Sequence, residues 1–157
     1  MRFVVLIALS LLFVSRAAQA SHYAVADVPR LITAVEAEKL QKVGINTTEQ
    51  LLEKAAKAKD RKALAKSSGL ASPALLGLAR RCDLLRLRGV GSEMVLLLEA
   101  SGVKTTAELA KKDVASLAAA MATANQAKKI SDKPPAEPQL QYWIEEAKKL
   151  PPLLDSK

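Results

Sequence analysis

The chain has 157 residues, a formal net charge of +8, one cysteine and one histidine. A single cysteine excludes an intrachain disulfide framework, and a single histidine removes the usual general base, the serine–histidine pairing and most zinc-site patterns together. The positive excess suits nucleic acid, acidic polysaccharide or a lipid surface, and suits a lysine-rich solvated surface equally well.

In chain order, Met1-Arg2 opens with positive charge and Phe3 to Val14 is apolar except for Ser10. Ser15-Arg16 ends that run, and Ala18-Gln19-Ala20 has the small-x-small form of a signal-peptidase site. This layout predicts a secretory leader over 1–20 and a mature chain that is exported, to a periplasm or to the exterior. The alternative, a retained anchor, has to contend with an apolar run shorter than the ~20 residues a span needs. The one histidine, His22, then falls two residues inside the mature end. Residues 21–150 are long enough to form one domain with a single core, and 151–157 are expected to be a flexible tail.

From residue 30 onward alanine, leucine, lysine and glutamate dominate, and apolar residues recur at spacings of three and four, which predicts an all-α fold. A short helix starting near Asp60 should end at Gly69, and Ser72-Pro73 should open the next. That helix carries the stripe Leu75, Leu78, Ala79, Cys82 and Leu85. Cys82 is therefore expected to be a buried thiol, with an intermolecular disulfide as the alternative. Asp113 should cap a helix through Met121, 131–138 should be a proline-rich loop, and a final helix should dock through Leu140, Trp143, Ile144 and Ala147. The lysines and arginines between Lys54 and Lys66, and the pair Arg80-Arg81, are read as solvated faces. No aromatic is interleaved with them to stack on bases.

One turn occurs twice. Gly44-Ile45-Asn46-Thr47-Thr48-Glu49-Gln50-Leu51 parallels Gly102-Val103-Lys104-Thr105-Thr106-Ala107-Glu108-Leu109, 58 residues apart. In each copy a helix should end at the glycine, the aliphatic residue should return to the core, and the threonine should cap the next helix with Gln50 or Glu108 as its capping-box partner. Upstream of the second copy stands Leu87-Arg88-Gly89-Val90-Gly91, then a helix with Val95 and Leu98. Glycine-aliphatic-glycine before a helix resembles the helix-hairpin-helix motif, whose tight turn presents backbone amides at a helix N-terminus. Hairpins of that kind grip duplex DNA backbone without reading sequence, often with a monovalent cation.

On this reading Gly89, Val90, Gly91, Arg86 and Arg88 are the candidate phosphate-binding residues. Glu93 opposes them, because a carboxylate in the helix's first turn satisfies the dipole and repels an anion. The first copy has Leu31-Ile32-Thr33 in place of the glycines, with Glu36 close by.

From about Val28 to Leu150 the chain is similar to domain of unknown function family 4332, which is helix-hairpin-helix-like. The resemblance rests on Gly44-Ile45-Asn46-Thr47, Leu64-Ala65 before Ser68-Gly69, and Asp83-Leu84-Leu85-Arg86 leading into Gly89-Val90-Gly91. It continues with Gly102-Val103, Glu108-Leu109 and Trp143-Ile144-x-x-Ala147-Lys148. It implies a tandem helix-hairpin-helix with a linking helix and a C-terminal docking helix, and no established activity. Glu145 and Glu146 are adjacent and diverge on a helix, and no nucleotide-binding glycine-rich loop occurs. No catalytic activity, cofactor, metal site or small-molecule substrate is expected. The expected role is a binding or scaffold module engaging a protein partner or a second copy, through helix faces or the Trp143 region. The alternative is sequence-independent binding of duplex nucleic acid through the second hairpin.

Overall fold

The computed structural model describes residues 23–155, and the leader assigned to residues 1–20 and His22 lie outside them. The described chain opens with a 3₁₀ turn at Val25–Asp27, followed by α1 (Ala34–Lys42), α2 (Thr48–Ala55), α3 (Ala58–Ser68) and α4 (Ser72–Leu84). The second half holds α5 (Ser92–Ala100), α6 (Thr106–Leu109), α7 (Val114–Lys128) and α8 (Glu137–Lys149). The fold is all-α, and its one extended pairing among the described residues is a single bridge between Ala24 and Thr47. None of the described helices is long and apolar enough to cross a membrane.

The repeated turn is the same structure twice. Gly44 and Gly102 have φ of +81° and +86°, a left-handed conformation that strains any residue with a Cβ. The next amide, Ile45 or Val103, donates back to Leu40 O (3.0 Å) or Leu98 O (2.9 Å). Thr47 and Thr105 cap α2 and α6 by accepting from the N–H groups of Gln50 (3.2 Å) and Glu108 (3.1 Å). Gln50 and Glu108 answer by accepting from the backbone of Asn46 (2.8 Å) and Lys104 (2.7 Å). Each threonine cap is worth about 1 kcal/mol.

The duplication reaches further than the two turns. α1 and α5 have the same length at an offset of 58, and each ends in the glycine turn. α4 and α8 are both 13 residues long, both start after an alanine, and both carry proline in the first turn. Their buried faces match position for position: Leu75 with Leu140, Leu78 with Trp143, Ala79 with Ile144, Cys82 with Ala147. The helix expected as a linker and the helix expected as a C-terminal dock are thus the fourth helices of two four-helix units. α2 packs on α4 as α6 packs on α8, and α3 and α7 each pack on the helix that follows. The buried side chains of both units merge into one cluster, with Leu40, Leu51, Leu75, Leu98, Leu109 and Leu140 fully enclosed.

Several local expectations need correction. α4 is preceded by Ala71, which has no capping side chain, so Ser72 lies inside the helix rather than capping it. α7 does start at its Asp113 cap but runs seven residues past Met121 to Lys128. Arg61, assigned to a solvated face, is only 2% exposed and donates to the carbonyls of Ala55 (2.9 Å) and Ala56 (2.8 Å) at the end of α2. Residues 151–155, expected to be a flexible tail, lie back on the protein as a strap. Leu153 and Leu154 pack on the core, Asp155 N–H donates to Ala56 O (3.0 Å), and the Asp155 carboxylate accepts from Ala58 N–H (3.2 Å) and Lys57 Nζ (3.1 Å). Asp155 therefore supplies the N-terminal cap that α3 lacks in its own sequence.

Candidate functional site

The second hairpin is built where α4 stops. Arg86 N–H and Leu87 N–H bond to the carbonyls of Asp83 and Leu84 at 3.2 Å each, and Val90 N–H bonds to Leu87 O at 3.1 Å. Leu87 and Val90 are each 1% exposed and pin the turn to the core. Gly89 takes φ of +82°, which lets the chain reverse between them. Gly91, in extended conformation, is the last residue before α5, and no side chain caps that helix. The amides of its first turn have no intrahelical partner and carry the positive end of the helix dipole.

The equivalent turn in the first half is closed. Leu31 and Ile32 N–H both bond to Val28 O, at 2.8 and 3.0 Å, without a left-handed residue. Thr33 and Glu36 then form a full capping box at the start of α1. The Glu36 carboxylate accepts from both Thr33 N–H and Thr33 Oγ at 2.8 Å. Two of the amides at this helix start, those of Thr33 and Glu36, are thus satisfied by the chain itself, and the Glu36 carboxylate stands over the terminus.

The two arginines beside the second turn have different surroundings. Arg86 donates to Asp83 Oδ1 (2.7 Å) and to Pro151 O (3.2 Å), and its side chain is only 13% exposed. Asp83 in turn accepts from Thr106 N–H (2.7 Å) and Thr106 Oγ (2.8 Å), so this pair ties the end of α4 to the start of α6. Arg86 is a structural brace. Arg88 is exposed, and its side chain makes no hydrogen bond or ion pair among the described residues. Its carbonyl accepts from Trp143 Nε1 (3.2 Å), which fixes the turn from α8. Trp143 itself is 2% exposed, so it does not provide the partner-facing surface expected of it.

Glu93 is held by a residue that sequence reasoning missed. Arg30 Nη1 lies 3.3 Å from Glu93 Oε2, while Arg30 Nη2 donates to Ile130 O at 3.2 Å. Arg30 and Arg88 are 58 residues apart, equivalent positions in the two halves. That correspondence was a readable signal. Arg81, read as a solvated residue, donates to Leu31 O (2.8 Å) and pairs with Glu99 (3.1 Å), which joins the first turn to α4 and α5. Arg30 and the start of α5 therefore lie together, with the first turn tied to α4 and α5 beside them.

Cys82 is a free, buried thiol, and burial above all, helped by the neighbouring charge of Asp83, pushes its pKa up to about 12. It stays protonated at neutral pH and reacts slowly. Among the described residues no cluster of three or more histidine, cysteine or acidic side chains could hold a metal ion.

Comparison with known proteins adds one result. The model of a family described as Domain of unknown function (DUF4332) matches residues 30–150. The chain belongs to this family. No curated protein and no solved structure matches it. The DUF4332 match spans both four-helix units and both turns, so the duplicated architecture lies within a single family domain.

Proposed function

We propose that the chain is a non-catalytic binding module that holds the phosphate backbone of duplex nucleic acid at the second hairpin, without reading base sequence. The observation that carries this reading is the Arg30–Glu93 ion pair. It offsets the one carboxylate that would repel an anion, and it leaves the amides at the start of α5 uncapped beside the unpaired Arg88. A helix N-terminus with a neighbouring guanidinium has the charge and the donors a phosphate needs. The first expectation, a protein scaffold, loses one of its two suggested surfaces with the burial of Trp143. Val35 and Tyr142 are the only large hydrophobic side chains exposed among the described residues, and they do not supply the apolar centre of a stable protein interface. The leader-like pattern at residues 1–20 supports placing this activity outside the cytoplasm.

The test is duplex affinity, measured by fluorescence anisotropy across a salt series. Backbone binding predicts a log-log slope of about −0.9 per phosphate neutralised, made shallower by about one in Arg88→Ala. Undetectable affinity at low salt would remove the reading.

A further inference from the structure

A cleft of about 420 Å³ opens between α2, the end of α4 and the C-terminal strap. Its walls are Leu52, Ala56, Cys82, Pro152 and Leu153, and Glu53 stands at its edge. The volume falls in the range of small-molecule sites, and an apolar lining with few polar groups is their usual composition.

One charged side chain at the cleft is left over. Both cations that line it are already committed: Lys57 pairs with Asp155 at 3.1 Å, and Arg86 pairs with Asp83 at 2.7 Å. Glu53 has no ion-pair partner among the described residues. The strap that forms the outer wall is short. It is held by the Asp155 cap, the Arg86–Pro151 bond and two partly buried leucines. It can therefore part without unfolding the helices behind it.

We propose that this cleft binds a small organic cation with an apolar body, its alkyl portion between Leu52 and Leu153 and its charged end at Glu53, with residues 151–155 as the closing wall. Cys82 at the floor is the only thiol in the chain and reports occupancy directly. Labelling of Cys82 in the full chain by 4,4′-dithiodipyridine is measured with octylammonium and with octanoate, two probes that share an apolar body and differ in charge.

Octylammonium is expected to slow labelling severalfold and saturably, while octanoate at the same concentration leaves it unchanged. Glu53→Gln, an exposed substitution, should raise the octylammonium concentration needed by about two- to fivefold. Leu153→Ala should speed labelling without a probe and weaken the protection. Equal protection by both probes, or no protection, overturns the proposal. So does acceleration, the mark of a surfactant opening the fold. Comparison with a chain beginning at Ser21 covers the remaining occupant. If the full chain is already protected and the shorter one is not, the cleft belongs to the chain's own N-terminal segment and the proposal fails. None of these outcomes depends on duplex binding.

Discussion

Asp83 accepts three hydrogen bonds with one buried carboxylate: one from Arg86, and two from the amide and hydroxyl of Thr106. Removing it takes the ion partner from a largely buried guanidinium and strands two buried donors. Asp83→Ala should therefore cost about 3–5 kcal/mol, read from the urea midpoint, whereas Arg88→Ala should stay within about 0.5 kcal/mol. In the sequence Arg86 and Arg88 look alike, both basic and both beside the glycines. The Asp83–Arg86 spacing of three was visible, but its burial depends on α6, which arrives more than 20 residues later. A second residue-scale effect concerns acid. Ala58 N–H and then Lys57 hold the Asp155 carboxyl below its ordinary range. A carboxylate with a depressed folded pKa contributes its stabilisation at neutral pH and loses it as pH falls through that value. The strap should thus stay closed from pH 7 down past the ordinary aspartate range near ~4, then release. The methyl resonances of Leu153 and Leu154 should follow that change, and a midpoint at or above the ordinary value would contradict it.

At the scale of elements, the proposed phosphate binding turns on the difference between α1 and α5. α1 begins in a closed capping box, and α5 begins on Gly91 with open amides. Gly89→Ala should place a Cβ at φ of +82° and cost about 1–2 kcal/mol, and it should weaken duplex binding by distorting the turn. The same change at Gly44, in an equivalent conformation, should cost as much and leave binding untouched. The glycine turns were legible because glycine, aliphatic and threonine each have one local job there, and those jobs recur at a fixed offset. The kinship of α4 and α8 was not legible. The residues inserted around the end of α7 shift the offset from 58 to 65, and Trp143 stands where Leu78 stands, so the two stripes share a spacing and no distinctive residue.

For the whole molecule, the buried faces of both four-helix units form one continuous cluster, so neither half has a core of its own to retain. Urea unfolding followed by Trp143 fluorescence, which reports the second half, and by far-UV circular dichroism should give one coincident transition. Separate midpoints would show the halves to be independent domains. The strap was misread as a free tail because Pro151-Pro152 ends the helical pattern. Its anchor is a cap supplied across 97 residues of chain, and no local rule reports that. The second turn was legible in its glycines, and Arg30 was legible as the counterpart of Arg88, but its pairing with Glu93 was not, because the two lie on different units. The most direct test of the central claim is an amide chemical-shift titration of the ¹⁵N-labelled chain with a short DNA duplex. The account predicts that the Gly89, Gly91, Ser92 and Glu93 amides shift together and saturably, and that the Thr33 to Glu36 amides stay in place. Shifts confined to another surface, or none at low salt, would contradict it.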